Sequence, residues 1–155
     1  MMDEERVELT IPSQLRYLPL VSACVRGFCR WTLGLSGYEK AAYNVQLAVH
    51  EAATNIIEHA YGGCADGQVK FVFRSRGSYL EIEISDHGKG FDFNSVPSPP
   101  LSALQEGGYG IFLIKKLVDE VSYQSDPVTG NHLRLVKYFD QSHCNSYDET
   151  QGRET

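Results

Sequence analysis

The chain has 155 residues, a formal net charge of −6, 42% hydrophobic residues and 22% charged residues. A chain of this length favours one domain, which can bury roughly 68–70% of its unfolded surface, so composition excludes a wholly disordered protein. The acidic balance and the lack of any Lys or Arg run argue against nucleic acid and anionic membrane as partners.

No apolar run approaches the ~20 residues that span a bilayer, and the opening MMDEERVELT lacks the basic and apolar regions of a signal peptide. The four cysteines, Cys24, Cys29, Cys64 and Cys144, form no CxxC and no framework spacing. They read as reduced thiols in a cytoplasmic protein.

In chain order, Val7-Glu8-Leu9-Thr10-Ile11 alternates and predicts a strand closed by Pro12. Leu15, Leu18, Val21, Val25, Phe28 and Trp31 then recur at helical spacing, with Pro19 favouring a start near Leu18 and Gly34 ending the helix. Ser36-Gly37-Tyr38-Glu39 reads as a capping box for a long second helix that runs to about Tyr61. Its apolar stripe is Ala41, Val45, Ala48, Ala52 and Ile56. Gln68–Ser75 and Tyr79–Asp86 both alternate around Arg76-Gly77-Ser78, which predicts a hairpin.

Residues 91–106 carry Pro and Ser without a sustained period, the mark of a lid-like loop. Gly107-Gly108-Tyr109-Gly110 opens a third helix to about Val118, and Val121–Gln124 and Leu133–Phe139 read as strands around a turn at 126–130. The polar tail at 141–155 is expected to be disordered. The order predicts one domain over residues 1–140, an α/β two-layer sandwich with a mixed, mainly antiparallel sheet and helices on one face.

Three segments carry chemistry. In EAATNIIEHAY the four-residue spacing sets Glu51 and Asn55 one turn apart on one helix face. Glu58 is a second carboxylate on much the same face, and His59 follows it. Asp86-His87-Gly88-Lys89-Gly90 puts a carboxylate at a strand end before alternating glycines, and Glu106-Gly107-Gly108-Tyr109-Gly110 leads into a helix. Two other motifs fail: HExxH would need His at position 54, which is Thr54, and no third glycine completes GxGxxG after Gly110. Lys115 and Lys116 read as a solvated helix face.

The ordered set ExxxN, DxGxG and GGxG resembles the N, G1 and G2 boxes of GHKL ATPases. The wording AVHEAATNIIEHAY, SDHGKGFD and EGGYGIFLIKKLVDEV is similar to that of the anti-sigma-factor serine kinases of that superfamily. This resemblance covers about residues 7–138 and implies a Bergerat-type fold that binds ATP and Mg²⁺ beneath a lid at about 91–106.

By resemblance, Glu51 is the general base and Asn55 offers its carbonyl oxygen to Mg²⁺. Asp86 accepts a hydrogen bond from the adenine amine, while Gly88 and Gly90 let the backbone approach the base and take positive φ where needed. Gly108, Tyr109 and Gly110 bring the third helix's N-terminus to the phosphates, and His59 belongs to the family pattern beside the nucleotide. The implied function is a kinase that phosphorylates an anti-anti-sigma partner of the STAS type and sequesters a sigma factor. The resemblance also implies a homodimer.

The sequence departs from the family in two places. The lid has no Lys or Arg, with Gln105 just before the third box, and Gly130-Asn131-His132 replaces a threonine site, with Thr129 one step away. The bare lid keeps a second expectation open, a nucleotide-dependent sequestering switch without useful kinase activity. The ATPase half of a histidine kinase is the less favoured third expectation, because no phospho-acceptor helix pair is visible.

Overall fold

The computed structural model describes residues 3–33, 38–60, 66–90 and 109–139. Strand β1 (Glu5–Pro12) leads through a 3-10 turn (Leu15–Tyr17) into helix α1 (Leu18–Leu33). Helix α2 (Glu39–Asn55) runs on as a π turn (Ile56–Ala60), followed by β2 (Gln68–Ser75) and β3 (Tyr79–Asp86). Helix α3 (Tyr109–Leu117), β4 (Glu120–Asp126) and β5 (Gly130–Tyr138) complete the described elements.

The strands form one sheet in the order β1-β2-β3-β5-β4, and all four pairings are antiparallel. The sheet is therefore antiparallel throughout rather than mixed. β3 and β4 run in the same direction, but β5 turns back from β4 and lies between them, so among the described residues no parallel pair is hydrogen-bonded. Pro12 ends β1 at the sheet's edge, where a strand tolerates a missing N–H.

Alternation decides which face is covered. Val69, Phe71 and Phe73 of β2, Leu80, Ile82 and Ile84 of β3, and Leu133 and Leu135 of β5 are all buried. They meet Val21, Val25 and Phe28 of α1, Val45, Ala48, Val49, Ala52 and Ala53 of α2, and Ile114 of α3 in one core. Each large apolar side chain buried this way contributes about 1.5–3 kcal/mol. The other sheet face carries Arg74, Glu81, Arg134 and Glu120, joined by ion pairs of 2.8–3.5 Å. That face is charge-balanced but only partly open to solvent, since Val72 and Val136 on it are buried; its more exposed pairs contribute about 0–1 kcal/mol each.

Most predicted elements are present, and the departures have local causes. Helix α1 begins at Leu18 with Pro19 in its first turn, where a missing N–H costs nothing. Leu15 and Trp31 are exposed, at 46% and 79%, and lie outside the core. Leu15 precedes the α-helix, and Trp31 sits about 80° round the helix from Val21 at 3.6 residues per turn.

Helix α2 starts at Glu39 with Tyr38 as its N-cap, and Tyr38 makes no side-chain cap bond. Ser36 and Gly37 of the expected capping box lie outside the described residues. Tyr38 instead packs edge-on against Phe139 with ring centroids 5.5 Å apart, tying the helix start to the end of β5. The lid at 91–106 and the tail at 141–155 also lie outside the described residues.

Candidate functional site

Glu51 and Asn55 occupy the last turn of α2 and are both half-buried. Directly after Asn55 the helix widens into the π turn, and the Ile56 N–H is shared between the Ala52 and Ala53 carbonyls. Single π turns inside α-helices recur at functional sites. The intervening Thr54 turns its hydroxyl back to the His50 carbonyl at 2.8 Å, which satisfies it within the helix.

The first turn of α3 rests on this acid–amide pair. A Cβ built on Gly110 would lie 2.7 Å from Asn55 Nδ2, 3.3 Å from Asn55 Oδ1 and 3.3 Å from Glu51 Oε2. Any larger residue at position 110 would push the ends of the Asn55 and Glu51 side chains aside, and the constraint is contact rather than φ. The ExxxN pair and the GGxG helix, more than fifty residues apart in the chain, meet at one point.

The second grouping is a row across three strands. Asp86 of β3 pairs in register with Asn131 of β5, which pairs in turn with Ser125 of β4. Asp86 and Asn131 are each only 3% exposed. Asn131 Nδ2 donates to Asp86 Oδ1 at 2.9 Å and to the Gly88 carbonyl at 2.9 Å, while Ser125 Oγ donates to Asn131 Oδ1 at 2.7 Å. The Gly88 N–H donates to Asp86 Oδ1 at 2.8 Å.

The backbone from 86 to 90 thus wraps around Asn131. A Cβ on Gly90 would come within 3.0–3.1 Å of Asn131 Oδ1, Ser125 Oγ and the Tyr123 hydroxyl. Gly88 and Gly90 do not use positive φ; among the described residues only Gly77 and Gly130 do. Gly130, at φ +91, lets the β4–β5 turn close against the Asp86 carbonyl, from which a Cβ would stand 2.5 Å.

Other predicted residues fall outside these groupings. His59 and Glu58 are exposed on the π turn. Gly108 lies outside the described residues, and Tyr109 is described only as the first backbone position of α3. Lys115 and Lys116 are exposed as expected, with Lys116 over the Phe112 ring. Thr129 is exposed in the β4–β5 turn and donates its N–H to Asp126, so Asn131 rather than Thr129 stands beside Asp86.

Asn131, Ser125 and Tyr123 were not singled out for a role by sequence reasoning, yet a signal for them existed. Asn131 continues the inward parity of Leu133 and Leu135, just as Asp86 continues that of Leu80, Ile82 and Ile84. A polar residue in phase with core positions at a strand end marks a buried polar contact. Elsewhere, a groove of about 420 Å³ lined by Arg26, Cys29, Arg30, Tyr38 and Gln46 among others lies between α1 and the first half of α2, and includes none of these site residues. Burial pushes the Cys29 thiol there up to about 12, which makes it an inert core residue.

Among the described residues no cluster of three or more His, Cys, Asp or Glu could hold a metal by itself. The Asn55 carbonyl oxygen and the Glu51 carboxylate are hard oxygen donors near one point. The Asn55 oxygen fits an ion such as Mg²⁺ that keeps waters and takes further oxygens from phosphates, and it leaves the Glu51 carboxylate free.

The architecture is that of a GHKL-type ATPase domain. Residues 11–137 match the histidine kinase-like ATPase domain, and the chain belongs to that family. It is similar to the serine-protein kinase RsbW of Oceanobacillus iheyensis, with 28% identity over 96% of both chains. The proteins of the same name from Bacillus thuringiensis and from Bacillus cereus strain AH187 are 30% and 31% identical, over 86% of this chain and 85% of theirs. Among the described residues, no helix is long and apolar enough to cross a membrane.

Proposed function

We propose that the chain is a cytoplasmic protein serine kinase that takes its phosphoryl group from Mg–ATP. It acts on a small anti-anti-sigma partner of the STAS type and sequesters a sigma factor, working as a homodimer. The observation that carries this reading is the meeting of Glu51, Asn55 and the Gly110 backbone. Nucleotide binding alone needs no carboxylate there, whereas phosphoryl transfer to a hydroxyl needs a base. The names of the RsbW relatives support serine as the acceptor.

In this reading Glu51 takes the proton of the serine hydroxyl as its oxygen attacks the terminal phosphorus. The bond from that phosphorus to the bridging oxygen breaks, and ADP leaves with the electron pair. Mg²⁺, when bound, neutralises phosphate charge. Asn55 Oδ1 would offer it one protein oxygen, and the start of α3 at Tyr109 and Gly110 would meet the phosphates, where the helix dipole favours negative charge; Gly108 is assigned there by the resemblance alone. His59 lies on the turn after Asn55, beside the nucleotide. Asp86 accepts from the adenine amine, a position where guanine has a carbonyl that an ionised carboxylate repels. The Gly88 and Gly90 backbone borders the base.

Substituting Glu51→Gln keeps the shape and removes the base. Mg–ATP affinity is expected to stay within about twofold, while transfer to a STAS partner falls by roughly 10²–10⁴. Calorimetry and labelled-phosphate transfer measure the two quantities. Unchanged transfer would remove Glu51 from the chemistry. Tight Mg–ATP binding with no transfer by the parent chain would instead establish the sequestering switch.

A further inference from the structure

Asn131, in the stretch that replaces the family's threonine site, and Ser125 belong to none of the three boxes, yet they are hydrogen-bonded into the Asp86 surroundings. Asn131 is buried and spends both Nδ2 hydrogens on acceptors, Asp86 Oδ1 and the Gly88 carbonyl. With both hydrogens committed, the amide has none left to offer a base. Its orientation has one solution. Two acceptors face the NH₂ end, so the oxygen faces away, where Ser125 Oγ donates to it at 2.7 Å. That hydroxyl satisfies the amide's oxygen end, and without it the amide is held at the NH₂ end alone and grips the Asp86 carboxylate less firmly.

We propose that Asn131, steadied at its oxygen end by Ser125, is the positioning residue that aims the Asp86 carboxylate and thereby sets the preference for a 6-aminopurine. This rests on Asp86 being the adenine acceptor. The Asn131 and Gly88 N–H bonds both fall on Asp86 Oδ1. The role of Oδ1 is to anchor, and Oδ2 is the atom that accepts the amine. Gly90 seals the relay, because its missing side chain admits Asn131 Oδ1, Ser125 Oγ and the Tyr123 hydroxyl within 3.0–3.1 Å of where a Cβ would stand. The amine is thus read through a row of three strands, Asp86 in β3, Asn131 in β5 and Ser125 in β4.

The test compares affinities of Mg–ATP and Mg–purine riboside triphosphate, which lacks the 6-amino group, by calorimetry on the full chain. Ser125 is exposed, so Ser125→Ala leaves the fold intact. It is expected to lower the ATP preference roughly three- to tenfold, the worth of one hydrogen bond, by weakening ATP alone. Ser125→Thr, which keeps the hydroxyl, restores the preference. Asn131→Leu removes the relay and brings the two affinities together, as does Asp86→Asn; if Asn131→Leu fails to fold, the two Ser125 variants decide.

A preference that survives Ser125→Ala and Asn131→Leu but collapses in Asp86→Asn overturns the positioning role and leaves Asp86 as the reader of adenine. A preference that survives Asp86→Asn as well removes the adenine assignment of Asp86, and this inference with it. A fall in affinity for both nucleotides alike after Ser125→Ala overturns it too, since general loosening of the site does not distinguish the bases.

Discussion

The Glu51–Asn55–Gly110 grouping and the Asp86–Asn131–Ser125 row differ in how they are held. In the first, two side chains one helical turn apart face solvent in part, and a glycine backbone pressed against them supplies the precision. In the second, a buried carboxylate is fixed by a relay of hydrogen bonds that begins two strands away. Steric contact shifts the side chains when an atom is added but leaves the polar groups open to a ligand. A hydrogen-bonded relay uses its polar groups up and leaves one acceptor with a defined direction. The first suits groups that must move protons and meet phosphates; the second suits recognition of a rigid base.

The sharpest way to break this contrast is at Gly130, which closes the β4–β5 turn against the backbone of Asp86 and the His87 ring. Gly130→Ala forces a side chain into φ +91 and against the Asp86 carbonyl, a backbone atom that cannot swing aside. A loss of roughly 2–4 kcal/mol is expected in denaturant midpoints at constant slope. A neutral result would mean that the β4–β5 turn does not pin Asp86.

Gly110→Ala probes the other grouping and is expected to act on chemistry rather than stability. Alanine favours a helix by about 1 kcal/mol over glycine, which offsets part of the contact. Its Cβ displaces Asn55, however, and transfer should fall about hundredfold, with a smaller fall in Mg–ATP affinity. If affinity and transfer fall together with the melting temperature, the contact is structural packing only.

The smallest effect concerns acid. The Thr129 and Val128 N–H groups hold the exposed Asp126 carboxyl below its ordinary value of 3.8. A depressed native pKa stabilises above the ordinary value and loses that contribution as pH falls through the native one. The β4–β5 turn is thus expected to loosen only below about pH 3.8, seen as faster amide exchange at Val128 and Thr129. Asp126→Asn should weaken that pH dependence, and a turn that loosens already at pH 5–6 would point to a different group.

Much of this molecule was legible from residue order because the relevant spacings are local. Alternation placed β2 and β3 at their observed bounds, and the 3.6-residue period placed Val45, Ala48 and Ala52 in the core. It also put Glu51 and Asn55 on one face, since that needs only one turn of helix. The start of α2 was less legible: Tyr38 takes the N-cap position, and its ring packs on Phe139, which is distant in sequence. Trp31 read as part of the helical repeat because a run of apolar residues does not reveal which one drifts off the stripe.

What the sequence determined by itself is the set of elements, the inward-facing residues and the acid–amide pair, all governed by periods of two and about 3.6 residues. Only the tertiary structure decided that Asn131 rather than Thr129 meets Asp86, that Ser125 bonds its amide oxygen, and that Gly110 closes on Asn55. The physical reason is register. Which residues of β3, β5 and β4 share a row, and where one helix's first turn lands on another's last, depend on how whole elements pack, and no local period encodes that.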